Sequence, residues 1–313
     1  MNQTTKNSVK LFLNEFIRFS DSFKWSAISF LGFILGITEL SINTYFIPFL
    51  IFAISTFSIM AFTFAINNFY DIESDNKNPR RKDINAIASG NISRQMAIFY
   101  LLILAFIPII ISVFLYRLEV VIFSIYLLFL GWAYSAPPLR TKNIPGLDVI
   151  WHFIGFFSYI IWGSLIAGGS IYNGTIGLII WLIAISIGFF SCIGQVWNHI
   201  VDYTFDKDSG TMTFAVKIGL ENAKKTLILL MYVHLIFLIP LVFLYTIKFW
   251  ITIIILICCI ILGLIILKPK KGGFPSKKSF EFYFAVILGG SVYLTCIMYQ
   301  LLFLLGLDML KIF

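Results

Sequence analysis

Nine apolar runs, separated by short polar stretches, leave this chain few ways to fold. They fall at about residues 25–38, 45–66, 96–115, 119–135, 149–168, 174–196, 226–247, 249–267 and 282–306. A helix needs about 20 mostly apolar residues to cross a bilayer. In hydrocarbon every backbone amide must find its partner inside its own segment or barrel, so runs of this length read as helices. The composition agrees: 59% of the 313 residues are hydrophobic and only 12% are charged. A soluble domain carries about 25% charged residues. The expected class is therefore all-α, a polytopic membrane protein of nine transmembrane helices around a central cavity, with cytoplasmic cap loops.

The basic residues set the orientation. With the N-terminus inside, segments 1–24, 67–95, 136–148, 197–225 and 268–281 are inner. They hold twenty of the 23 Lys and Arg residues. Only Arg117, Lys248 and Lys311 fall outside. Cytoplasmic loops of membrane proteins carry such an excess. This places the N-terminus inside and the C-terminus outside the cell membrane. The formal charge of +8 thus belongs to topology, and no nucleic-acid partner is expected. Residues 1–24 form a polar, basic segment without the shape of a cleavable signal. Residues 25–313 form one membrane domain, with pseudo-repeated halves at about 25–148 and 149–313. Cys192, Cys258, Cys259 and Cys296 all lie in apolar runs without metal-ligand spacing, as small packing residues do.

The acids are distributed differently. Eight of the fifteen Asp and Glu sit in loops 67–95 and 197–225: Asp71, Glu73, Asp75, Asp83, Asp202, Asp206, Asp208 and Glu221. The first loop opens with Asn67, Asp71 and Asp75, the second with Asn198, Asp202 and Asp206. Asn-x-x-x-Asp-x-x-x-Asp thus occurs twice, 131 residues apart, each time where an apolar run ends. On a helix these spacings place the three side chains on one face. Carboxylates four residues apart repel. A hard divalent cation removes that repulsion, and Mg²⁺ takes one or two carboxylates with phosphate oxygens and waters. Two such stripes facing each other across one cavity are suited to holding a Mg²⁺ pair bridged by a diphosphate. An ion-coupled transporter or a non-catalytic membrane binding protein is the alternative. Transporter ion sites, however, lie near mid-membrane on broken helices, and these acids lie at the rim.

These stretches resemble the UbiA superfamily of intramembrane prenyltransferases. That family has an Asn-Asp-x-x-Asp-x-x-x-Asp motif, a second Asp-x-x-x-Asp motif and nine transmembrane helices. The resemblance runs from about residue 20 to 306. Tyr134-Ser135-Ala136-Pro137-Pro138-Leu139-Arg140-Thr141-Lys142 is similar to the family's Tyr-Ser-x-Pro-Pro-x-Arg-x-Lys stretch. Ala88-Ser89-Gly90-Asn91-Ile92-Ser93 is similar to its Pro-Ser-Gly-x-Ile-Ser stretch, and Thr211, Thr213 and Gly219 resemble residues after the second motif. Three positions depart from the pattern. Asn68 replaces an Asp, Val201 replaces a common Arg, and Asn78-Pro79-Arg80-Arg81-Lys82-Asp83-Ile84 replaces Asn-Arg-Pro-x-Arg-Pro-Ile.

The resemblance implies Mg²⁺-dependent transfer of a prenyl group from a prenyl diphosphate donor to a hydrophobic acceptor. A geranylgeranyl-class donor and a lipid or quinone-precursor acceptor are expected. It implies catalytic Asp71, Asp75, Asp202 and Asp206, with Asn67 joining them as ligands of two Mg²⁺ ions. Tyr134, Arg140, Lys142 and Asn198 would bind substrate, the two cations through phosphate oxygens. Asp208 is a secondary candidate ligand, and Arg80, Arg81 and Lys82 are secondary phosphate binders. His199 falls off the Asp stripe and receives no role. His152 and His234 lie in apolar runs as core residues.

Overall fold

The computed structural model describes residues 11–76, 82, 84–169, 171, 174–246, 257, 261 and 277–305. Among them there is no strand. Eight long helices follow one another: α1 Phe19–Gly36, α2 Ile42–Tyr70, α3 Arg94–Val113, α4 Leu118–Ser135, α5 Leu147–Ile166, α6 Gly174–Val201, α7 Leu220–Thr246 and α8 Lys277–Leu304. A single π-helical turn, Phe12–Phe16, precedes α1.

The expected runs fall on these helices, except for the run at 249–267, which lies outside the described residues apart from Ile257 and Ile261. Among the described residues, helices α2 to α7 are the six that are long and apolar enough to cross a membrane, and α8 contains a shorter apolar stretch, Ile287–Leu302. Helix α1 starts at Phe19, earlier than the apolar run, because Ser22 is buried in helix contacts and lowers the hydropathy without breaking the helix. Ser22 is satisfied by donating to the Ile17 carbonyl at 2.6 Å. The chain is an integral membrane protein, and its surface says so directly. Phe99, Leu102, Phe106 and Ile110 on α3, with Ile122, Ile125 and Phe129 on α4, are exposed. In water an apolar face of this extent would drive association, whereas in lipid it is the ordinary outer surface.

Packing runs from α3 onto α2 and α4, from α4 to α5, and on through α6, α7 and α8 back to α1. Helices α1 and α5 also lie directly against each other. Their contact is a seam of small residues. A Cβ placed on Gly36 would meet the Ser164 carbonyl oxygen at 2.6 Å, and one on Gly163 would come within 2.9 Å of the Phe33 nitrogen. Small residues at such a crossing let two backbones touch, which is how helices associate where lipid removes the hydrophobic drive. Hydroxyls add interhelical bonds. Ser58 donates to the Leu104 carbonyl at 3.0 Å, and Ser112 and Ser124 share a 3.0 Å bond. As expected, His234 is a core residue: it is fully buried and bonded to Ser186.

Serine caps begin two of the helices. Ser41 Oγ accepts from the Thr44 N–H before α2, and Ser93 Oγ from the Met96 N–H before α3, satisfying donors left over in the first turn. Helices α2, α4 and α6 all run toward the end of the bundle that carries the polar loops. That parallel arrangement brings Asn67–Asp75, residues 136–148 and Asn198–Asp208 to one rim.

Candidate functional site

Both Asn-x-x-x-Asp-x-x-x-Asp stretches make the same backbone shape. Helix α2 ends at Tyr70, and Asp71 turns with φ −96 and ψ 4 before a short helix, Ile72–Asn76. Helix α6 ends at Val201, and Asp202 turns with φ −88 and ψ 2 before a short helix, Tyr203–Asp208. Across each break the helical hydrogen bonds continue. The Asp71 N–H donates to the Asn67 carbonyl (3.0 Å) and the Asp75 N–H to the Asp71 carbonyl (2.8 Å). The Asp202 N–H donates to Asn198 (2.9 Å) and the Asp206 N–H to Asp202 (2.9 Å). The helix kinks at the middle acid, and the spacing of four survives.

Around the first stretch the side chains interlock. Asp71 is 9% exposed. Its Oδ1 accepts from Arg140 Nη2 (3.0 Å) and Lys142 Nζ (2.6 Å). Lys142 Nζ also donates to Asn67 Oδ1 (2.8 Å), which accepts from Ser135 Oγ as well (3.1 Å). The Asn67 and Asp71 oxygens thus converge on one ammonium. Burial pulls the Lys142 pKa below the ordinary lysine value, and the Asp71 carboxylate beside it works in the opposite direction. Arg140 sits in a left-handed conformation, φ 35 and ψ 54, which costs a non-glycine residue energy and recurs where function holds a chain in place. Its Nε is buried with no hydrogen-bond partner.

Asp75, 6% exposed, turns to a different neighbour. Its Oδ2 accepts from Asn85 Nδ2 at 2.8 Å, and Asn85 Oδ1 in turn accepts from the Ile87 and Ala88 N–H groups. Asn68, the residue at the departing position, faces away from the acids. Its amide donates to the Glu15 and Phe16 carbonyls, both at 3.0 Å, and so ties the π-helical turn to α2. A cavity of about 350 Å³ opens beside this turn, lined by Arg18, Asp21, Asn67, Asp75 and Asn85 among others.

The second stretch is more open. Asp202, Asp208 and Asn198 are exposed, and Asp206 is partly buried. His199, which falls off the Asp stripe, is buried behind them. It reaches Asp148 Oδ2 at 3.2 Å from its Nε2. Tyr134 stands between the two stretches, within electrostatic reach of Asp71 and Asp148 and within hydrogen-bonding reach of Gln195. His152 stacks edge-on against the Tyr134 ring, with centroids 5.6 Å apart. Lys82 is exposed, while Arg80, Arg81 and Asp83 lie outside the described residues.

The donor set suits a hard cation with an anion. Asn67 and Asp71 offer oxygen ligands, and the unpartnered Arg140 Nε offers a buried donor for an anionic oxygen. Among the described residues no three His, Cys, Asp or Glu side chains gather closely enough to enclose a metal ion alone. Mg²⁺ fits that arrangement, since it keeps waters and shares substrate phosphates rather than filling an all-protein cage.

Comparison with known proteins follows the same lines. The family model for the UbiA prenyltransferase family matches residues 29–287. A digeranylgeranylglyceryl phosphate synthase of Korarchaeum cryptofilum is 31% identical over 159 residues, 50% of this chain and 52% of that protein. A C(50) beta-cyclic carotenoids biosynthesis protein, LbtBC, of Dietzia sp. is 29% identical over 163 residues, 51% of this chain and 36% of that protein. The matches therefore span about half, or less, of the curated relatives' own lengths. Among solved structures, a UbiA homologue from Archaeoglobus fulgidus bound to DMAPP and Mg²⁺ superposes with a TM-score of 0.65 at 23% identity, covering 93% of this chain and 98% of that one. A structure described as giving insight into digeranylgeranylglyceryl phosphate synthase in membranes superposes with a TM-score of 0.67 at 20% identity, covering 94% and 99%. The helical frame is the one those structures share, and with most of its length matched by the family model this chain belongs to the UbiA prenyltransferase family.

Proposed function

We propose that this protein transfers a prenyl group, of geranylgeranyl class, from its diphosphate to a hydrophobic acceptor in a Mg²⁺-dependent reaction. The observation that carries the reading is the convergence of the Asn67 and Asp71 oxygens with Lys142 and Arg140 at the end of α2, on the rim where α6 ends in a second copy of the same backbone turn. The donor and acceptor classes draw on two relatives, the digeranylgeranylglyceryl phosphate synthase and the C(50) carotenoid biosynthesis protein. A lipid acceptor fits both, and a quinone precursor remains the second acceptor class.

In this reading Asn67, Asp71, Asp75, Asp202 and Asp206 would hold two Mg²⁺ ions, which would supply charge neutralisation for a diphosphate leaving group. Arg140 and Lys142 bind its oxygens, with the unpartnered Arg140 Nε as a ready donor. Electrostatic complementarity of this kind lowers a barrier because the charges are already in place when the leaving group develops its own. The C1–O bond of the allylic diphosphate breaks with its electron pair going to the diphosphate. The acceptor's nucleophilic atom bonds C1 and sheds one proton. Tyr134 walls the site on the side of Gln195, and Asn198 contacts substrate at the second stretch. A site facing the cytoplasm is the orientation that the distribution of basic residues supports. Acids at helix ends rather than mid-span do not suit an ion-coupled transporter.

The test is release of pyrophosphate from geranylgeranyl diphosphate by purified protein, with a panel of glyceryl-lipid, carotenoid and quinone-precursor acceptors. Mg²⁺-dependent release is expected and chelation should stop it. No release with any acceptor would end this reading.

A further inference from the structure

One stretch of chain touches both aspartate-bearing helix ends. Residues 136–148 are the α4–α5 connection together with the first two residues of α5, and their middle part, Arg140 and Lys142, holds Asp71 and Asn67. Their last residue, Asp148, holds α6. Asp148 is 2% exposed, and its Oδ1 accepts from the Gly146 N–H at 2.9 Å. Its Oδ2 lies 3.2 Å from His199 Nε2 and 3.5 Å from Gln195 Nε2. The Gln195 amide also lies 3.0 Å from His199 Nε2, so one carboxylate engages two residues of the last turns of α6.

His199 is 8% exposed, and Asp202 and Asp206 both lie within electrostatic reach of its ring. Its Nδ1 is buried and has no hydrogen-bond partner. A buried carboxylate is costly to desolvate unless it is well paired. Beginning α5 does not demand one, since Ser or Asn caps a helix as well. What this carboxylate adds is a fixed hold on the imidazole one turn before Asp202. No comparable side-chain tie joins Asp202 itself to the α4–α5 connection among the described residues.

We propose that Asp148 and His199 are positioning residues: residues 136–148 form a spacer of fixed length, and the Asp148–His199 pair sets where the second carboxylate stretch stands relative to the first. The spacer grips one stretch at Arg140 and Lys142 and the other at Asp148. The inference rests on the prenyltransferase reading, which gives the separation its function. Neither residue needs to touch substrate. Losing the pair lets the α6 end drift, so ligands that require both stretches bind less well.

The experiment uses the full chain in detergent micelles, with Mn²⁺ titrated in the presence of inorganic pyrophosphate and followed by electron paramagnetic resonance. Prenyl-transfer kinetics and thermal melts are recorded beside it. Asp148→Ala is expected to weaken Mn²⁺ binding about tenfold, as losses of supporting residues at metal sites do. It should raise KM for the prenyl diphosphate more than it lowers kcat. Asp148→Asn keeps the shape and the bond to Gly146, and should stay within about threefold of wild type. If Asp148→Ala does not fold, His199→Phe, which keeps a ring in the same space, carries the same expectation. Variants that melt earlier yet bind Mn²⁺ and pyrophosphate as wild type does would make the pair ordinary core packing and overturn the proposal. Wild-type protein that binds no Mn²⁺ with pyrophosphate would overturn the prenyltransferase reading, and the spacer with it.

Discussion

At the end of α2, Asp71 is 9% exposed and shares one oxygen between Arg140 and Lys142. At the end of α6, Asp202 has nearly the same φ and ψ, the same backbone hydrogen bonds on either side and an exposed side chain. Sequence spacing and backbone are repeated while the surroundings are not. The first carboxylate is charge-balanced by the chain's own cations before any ligand arrives. The second faces solvent, with a buried histidine behind it. In the proposed reading the two copies of one pattern divide the work: the interlocked α2 end would serve as a prebuilt wall, and the exposed α6 end as the side a ligand approaches.

Substitutions can break this division or refine it. The largest effect should come from removing the middle acid of either stretch. Asp202→Ala should lower pyrophosphate release about 10³-fold, in the range seen when a key transition-state stabiliser is lost. Being exposed, it should leave the melting behaviour within about 0.5 kcal/mol of wild type. Asp71→Ala should lose as much activity and also destabilise the protein, by about 1–3 kcal/mol, because Lys142 and Arg140 are left without their partner. Full activity of either variant with Mg²⁺ present would undo the ligand assignment. Next in size, Lys142→Ala should cost about 10²-fold in turnover. Lys142→Arg should recover part of it, since the charge is kept while the single point joining Asn67 and Asp71 is not.

Asn85→Ala removes the donor that holds Asp75. A roughly tenfold rise in the Mg²⁺ concentration for half-maximal activity is expected. An unchanged Mg²⁺ requirement would mean that Asp75 takes no part. The smallest effect on turnover should be that of Asn68→Asp, which restores the residue usual in the family. The carboxylate would face the Glu15 and Phe16 carbonyls that now accept from the amide. A loss of about 1–3 kcal/mol in thermal or denaturant melts is expected, with no gain in rate. A gain in rate would show that this position reaches the metal after all.

Much of the frame could be read without coordinates. Apolar length is a property of single segments, and a bilayer turns it into helices directly. Asn67 and Asp71 were legible for the same reason, because a spacing of four is local. What escaped depended on distant neighbours. Asp148 looks like any first-turn acid, favourable at a helix N-terminus, until His199 is found 3.2 Å away. His199 falls off the Asp stripe, yet that offset is what turns it inward toward α5. The spacing of four predicts that Asp75 points with Asp71. Instead Asn85, ten residues on, captures it through a loop whose fold no periodicity announces. Asn68 differs from Asn67 by one position, which on a helix is enough to face a different part of the molecule.

The glycine seam between α1 and α5 bears on traffic through the molecule. Where Gly36 meets Ser164 and Gly163 meets Ser29 and Phe33, backbone lies on backbone. No side chain there can swing aside to make a gap. A long hydrocarbon entering from the lipid, or a bulky product leaving sideways, has to part some other pair of helices, one whose contact is made of movable side chains. Doorways in this bundle should therefore be sought away from that line, and a bulky residue introduced along it would pry the helices apart rather than widen a passage.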